Sequence, residues 1–139
     1  MANDVKITVT ESGGRKRASS GSAWEPKVGY SRAVRVGSTI AITGTVGVNA
    51  DGTFPKTIGE QTRRALQIIQ AAIEALGGKI DDVVRTRMFV TDISQWEAVG
   101  AVHGEVFGAI RPATTMVEVA KLIDGAALVE IEADAIVTP

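Results

Sequence analysis

The chain predicts a two-layer α+β fold, a mixed β-sheet with two helices on one face, and three observations lead there. Two stretches, 57–76 and the one after Asp92, repeat apolar residues at helical spacing. Several others alternate apolar and polar residues with period two. The order strand, hairpin, helix, strand, helix, hairpin contains two strand–helix–strand crossovers, whose shared handedness puts both helices on one side of a single sheet.

Val5, Ile7 and Val9 alternate with polar neighbours and suggest a short strand. Glu11 to Gly21 is rich in Gly, Ser and Arg and reads as a loop or arm; its Arg15-Lys16-Arg17 cluster reads as solvated charge. Gly37-Ser38 divides two alternating runs, Ser31–Val36 and Thr39–Thr43, as a tight β-hairpin. Asn49-Ala-Asp-Gly-Thr-Phe-Pro is turn chemistry.

Thr57 and Glu60 form a capping box opening the first helix. Ile58, Ala65, Leu66, Ile69, Ala72, Ile73 and Leu76 make its apolar stripe, and Gly77-Gly78 ends it. Val83–Val90 is the next strand, with Arg85 and Arg87 on one face. Asp92 caps a second helix with Gln95 at the capping-box position, and Trp96, Val99, Val102, Val106 and Phe107 form its apolar side. Gly100 and Gly104 inside that helix each cost about 1 kcal/mol relative to Ala, a sign of close approach to a backbone or a ligand. His103, the one histidine, reads as a satisfied core or interface residue.

The last two runs, Arg111–Ala120 and Leu128–Val137, flank Asp124-Gly125 and read as a hairpin. Period two puts Glu130, Glu132 and Asp134 on one face of the second run, against Val129, Ile131, Ala133, Ala135 and Val137. In the first run, Thr114, Met116 and Glu118 alternate with Thr115, Val117 and Val119.

At 139 residues, one domain spanning 1–139 is expected. A net charge of −1 argues against a nucleic-acid partner. With no cysteine there is no disulfide framework. No secretory start and no bilayer-length apolar run are visible, so neither a membrane partner nor a location other than the cytoplasm is expected. One histidine, scattered carboxylates and no phosphate-cradling loop give no reason to expect a metal or cofactor.

Pro-Ala-x-x-x-Val-Glu-Val-Ala-x-Leu from Pro112, followed by Val129-Glu-Ile-Glu-Ala, resembles the C-terminal signature of the Rid family of imine and enamine deaminases, long labelled L-PSP endoribonuclease-like. Gly29-Tyr-Ser before a hairpin ending Thr43-Gly resembles its N-terminal pattern. The resemblance implies a chorismate-mutase-like fold, a homotrimer with clefts between subunits, and a small-molecule ligand. It implies that Tyr30 and Thr43 line the cleft and that Glu130, with backbone groups, positions a water attacking a 2-imino acid. The family's carboxylate-binding Arg falls at Thr114, a Cys at Met116 and a cleft Asn at Gly100. A Thr hydroxyl replaces a guanidinium fork in neither charge nor geometry. Arg111 precedes Pro112, which should keep its backbone extended and point it away from Thr114.

Three readings follow. One is an imine or enamine hydrolase for a substrate other than the usual 2-imino acids, with Glu130 as acid/base and Tyr30, Thr43, Thr114 and Thr115 as polar lining. The second is a non-catalytic binding module that keeps the cleft. The endoribonuclease label ranks last, for want of a basic groove or stacking platform. Two expectations are more local. The sheet face opposite the helices should carry Thr114, Met116 and the Glu130/Glu132/Asp134 ladder, with Arg85, Arg87 or Lys121 answering the acids. Burial of Glu130 beside Met116 should raise its pKa.

Overall fold

The computed structural model describes residues 4–139; residues 1–3, the start of the N-terminus expected to lack a secretory signal, lie outside the described residues. In chain order the strands and α-helices are β1 (Thr8–Ser12), β2 (Arg15–Ser19), α1 (Trp24–Val28), β3 (Ala33–Val36), β4 (Thr39–Val46), α2 (Ile58–Ala75), β5 (Val83–Val90), α3 (Trp96–Phe107), β6 (Ala113–Glu118) and β7 (Val129–Ile136). The seven strands form one mixed sheet in the order β1-β2-β3-β4-β7-β5-β6. No helix among the described residues is long and apolar enough to cross a membrane.

The long helices arise as their sequence dictates. Thr57 caps α2 by accepting the Glu60 amide at 3.2 Å, and Gly77 takes φ 85° just past the helix. Ile58, Ala65, Leu66, Ile69, Ala72, Ile73 and Leu76 are all buried against Ile40, Ile42, Ile131, Ala133 and Ala135 of the sheet. Asp92 caps a 3-10 turn, Ile93–Gln95, rather than α3 itself, and α3 starts at Trp96. Trp96 is 55% exposed, so the buried side of α3 is Val99, Val102 and Phe107.

Three elements depart from expectation. Residues 11–21 are not a loop: β1 and β2 pair as an antiparallel hairpin closed by Gly13 and Gly14 at φ 58° and 75°. β1 is wholly exposed and the pair forms a charged sheet edge, and the strand expected from Val5, Ile7 and Val9 starts only at Thr8, so the alternation marked one of its five residues. Trp24–Val28 is a helical turn with Pro26 near its start, where no amide is needed, closed by Gly29 at φ 89°.

The third departure moves the site. β6 and β7 are not a hairpin; β5 lies between them, antiparallel to β7 and parallel to β6. Asp124 instead makes a local turn, its carboxylate accepting the Ala126 amide at 2.9 Å. Buried Gln61 of α2 holds that loop, donating to the carbonyls of Pro55 and Ala126 and accepting the Leu128 amide at 2.8 Å. The alternating apolar face of β7 is fully covered, as a central strand requires, whereas β6 is mostly exposed at the edge.

Candidate functional site

Register assigns each candidate residue a face. Across β5 and β7, Arg85 faces Asp134, Arg87 faces Glu132 and Phe89 faces Glu130. Across β5 and β6, Arg87 faces Thr115, whereas Thr86 faces Thr114 and Met88 faces Met116. Met88 and Thr86 are buried under the helices, so Thr114 and Met116 belong to the helix side and Thr115 to the open side. The expectation that Thr114 and Met116 share the carboxylate face is corrected, because the inserted β5 sets the parity of β6. Met116 packs against the helix-side core.

The open face carries the first group. Arg32 is buried and spans it: Nη1 donates to the Gly44 carbonyl at 2.8 Å and to the Thr45 hydroxyl at 3.2 Å, and Nη2 to the Tyr30 hydroxyl at 3.3 Å. Its guanidinium also lies 5.5 Å from the centre of the Tyr30 ring and 3.9 Å from buried Glu25. Burial pushes the Glu25 carboxyl up, but hydrogen bonds from Ser20 and Ser19 and the charge of Arg32 hold it below the ordinary range. The Thr43 hydroxyl donates to the Ser31 carbonyl at 2.6 Å, which fixes the strand but commits its proton.

Glu130 differs from its neighbours. Arg87 pairs with Glu132 at 3.1 Å and Asp134 at 3.4 Å, whereas Glu130 has no ion pair among the described residues. Burial pushes its carboxyl above the ordinary range; Arg32 pulls it back and Glu132 pushes it further. The direction is the one expected, but the cause is not Met116, which lies through the sheet. Glu130 lies across Gly44, where an added Cβ would sit 3.0 Å from its carboxyl carbon. A cleft of about 440 Å³ opens beside this group, lined by Arg15, Arg17, Tyr30, Thr43, Glu132 and Asp134. Glu130 is two residues along β7 from that lining.

The second group lies on the helix side at the β6 edge. Thr86, fully buried, donates to the Thr114 hydroxyl at 2.7 Å and lies 2.9 Å from Nε2 of His103 on α3. The His103 ring rests on Phe107 with centroids 4.6 Å apart, and burial pushes its pKa down. Gly100 and Gly104 flank it with no tight contact: a Cβ at Gly104 would meet nothing within 4 Å, and one at Gly100 only Trp96 at 4.0 Å. Arg111 is not extended. It takes φ 57° while its amide closes the end of α3 on the Phe107 carbonyl at 2.7 Å, so the helix exit overrides the bias of a residue before proline.

The fold therefore brings Tyr30, Thr43 and Glu130 together on one face, and Thr114 and Gly100 with His103 on the other. Arg32, Gly44 and Thr86 were not singled out from sequence. Thr86 had a visible signal, a polar residue at the inward parity of β5 beside Met88 and Val90.

The endoribonuclease L-PSP family model matches residues 20–137. A crystal structure of a Mycobacterium tuberculosis protein, described as a member of the YjgF/YER057c/UK114 family, superposes with a TM-score of 0.83 at 52% identity, covering 88% of this chain and 99% of that one. A 2-iminobutanoate/2-iminopropanoate deaminase of Escherichia coli K12 is 35% identical over 111 residues, 77% of this chain and 86% of the relative. The crystal structure of E. coli TdcF with bound serine is 26% identical, with a TM-score of 0.74 over 78% of this chain and 88% of that one. With open-face residues from Tyr30 to Glu130 and the β6 edge all inside the matched span, the chain belongs to the Rid family, also known as the YjgF/UK114 or endoribonuclease L-PSP family.

Proposed function

We propose that this protein is a cytoplasmic imine or enamine hydrolase acting on a substrate other than the small 2-imino acids. The observation that carries the reading is Glu130: half-buried, raised in pKa, and alone among the acids of β7 in having no cation paired with it among the described residues. Such a carboxyl can take a proton from water as its oxygen adds to the imine carbon. It can then return that proton to the nitrogen, giving a carbinolamine, and relay the hydroxyl proton of the carbinolamine to the same nitrogen, so that ammonia leaves as the carbonyl forms. A relative named for 2-iminobutanoate and 2-iminopropanoate, and another crystallised with serine, favour a small amino-acid-like ligand.

Glu130 and Thr114 lie on opposite faces of one sheet, so a cleft using both needs two chains. The open face also leaves Val36, Val117 and Ile136 exposed. Self-association as a homotrimer, with clefts between subunits, meets both conditions. Light scattering at micromolar concentration is expected to return the trimer mass; a monomer mass would overturn this assembly.

Thr114 argues for the altered substrate. A charge-assisted pair to a substrate carboxylate is worth about 1.5–3 kcal/mol. Its absence should cost roughly ten- to a hundredfold in transition-state binding. In a coupled assay in which an amino-acid oxidase generates 2-iminopropanoate, we expect wild type to remain near the uncatalysed rate and Thr114→Arg to exceed it. Robust wild-type turnover would sink the substrate claim, and its loss in Arg111→Ala would place the clamp at Arg111. The same absence of an arginine supports the second reading, a binding module. Hydrolysis of no imine by either protein would favour that reading.

A further inference from the structure

We infer that His103 acts through Thr86 to hold Thr114 as a hydrogen-bond donor, and that the β6 edge therefore recognises an uncharged acceptor, such as an amide or ester carbonyl, in place of a carboxylate. This rests on the reading that the α3–β6 edge forms one half of the cleft.

The Thr86 hydroxyl has one proton and two polar neighbours. The Nδ1–H tautomer of His103 would run these hydrogen bonds the other way and turn the Thr114 proton inward; the inferred arrangement has Thr86 donate its proton to Thr114 at 2.7 Å and accept from Nε2–H of His103 at 2.9 Å. Thr114 Oγ1 is then an acceptor inside the chain, and its own proton is left for a partner outside it. Thr114 is exposed, on an edge strand whose other side has no neighbour among the described strands. A buried Thr where Val would fill the same space is costly unless its hydroxyl is bonded, and this one is bonded on both sides.

Space and charge give independent support. Gly100 and Gly104 leave the helix surface beside His103 open, at a cost in helix propensity. The charged side chains of α3 are Glu97 and Glu105, and that of β6 is Glu118; Arg63 answers Glu105 at 2.6 Å, so Glu97 and Glu118 leave these elements net negative, which disfavours a carboxylate. Arg111, in the connection between α3 and β6, is the cation nearest to Thr114 in sequence, and the test includes it. A lone hydroxyl donor suits a neutral oxygen; a desolvated carboxylate demands more.

The experiment is equilibrium binding of two probes of matched shape, pyruvamide and pyruvate, followed by NMR on the assembled protein. Pyruvamide should bind at least severalfold tighter. Thr114→Val should weaken it about two- to tenfold, the worth of one neutral hydrogen bond. Thr86→Val should do the same and Thr86→Ser should restore it, while ¹⁵N shifts of His103 report the Nε2–H tautomer in wild type. Tighter binding of pyruvate, no change in Thr114→Val, or an Nδ1–H tautomer would each overturn the inference. So would pyruvate binding that disappears in Arg111→Ala. If Thr86→Val fails to fold, Thr114→Val on the exposed edge still decides. Binding is read without turnover, so failure here is distinct from failure of the hydrolase reading, which Glu130→Gln addresses.

Discussion

Replacing Glu130 with Gln is expected to lower imine hydrolysis by about two to four powers of ten, the usual worth of a positioned general acid or base. The same change should make the protein more stable at neutral pH. The Glu130 carboxyl has a folded pKa above its ordinary value of 4.5, chiefly through burial. The folded state therefore keeps this proton at pH values where the unfolded chain has released it, and stability falls as pH rises from the unfolded value through the folded one. Gln has no proton to lose and the same shape. Its thermal midpoint should exceed wild type at pH 7, with the gain shrinking to nothing below about pH 4. A purely structural carboxylate, paired with an arginine, would give the reverse sign at pH 7. Loss of activity with a fall in stability would therefore argue against a free acid poised in the cleft.

What the sequence made legible were the features with a period. β7 and α2 each present one face to the core, and the residues their alternation or helical spacing marks are buried, although α2 also buries Gln61, Thr62 and Ile68, which the stripe did not include. That parity placed Glu130, Glu132 and Asp134 together. The failures were of two kinds. Asp124-Gly125 signals a turn, and a turn is there, but local chemistry says nothing about which strand pairs next to which. Insertion of β5 between β6 and β7 is a tertiary outcome, and it reversed the face assigned to Thr114 and Met116. The β1–β2 hairpin buries Ala18 alone, too little for a period to reveal. Arg32 was illegible for a different reason: its partners, Gly44 and Thr45 on β4 and Glu25 on α1, come together only when the chain has folded.

Arg32→Met should be the most destabilising change near the site, by about 3–5 kcal/mol, since removing one member of a buried pair leaves the Glu25 charge to its serine hydrogen bonds alone and orphans the other partners of Arg32. The side chains of Arg32 and Glu25 are 9% and 5% exposed, so water cannot easily take the place of either. Their separation of 3.9 Å is long for an ion pair, and much of the cost should come instead from the orphaned Gly44 carbonyl and the Thr45 and Tyr30 hydroxyls. Arg32→Lys keeps the charge but not the fork, and it should lose part of this stability. The double variant Arg32→Met/Glu25→Gln removes the stranded charge and should be more stable than Arg32→Met alone, the difference measuring their coupling in a denaturant cycle. The site should respond as well. Arg32 pulls the Glu130 pKa down, so its loss should raise that pKa further and move the acid limb of any pH–rate profile, where the general base becomes ionised, upward. A stability loss below about 1 kcal/mol, the range of exposed pairs, would mean that solvent reaches Arg32 and that Tyr30 and Gly44 are held by something else.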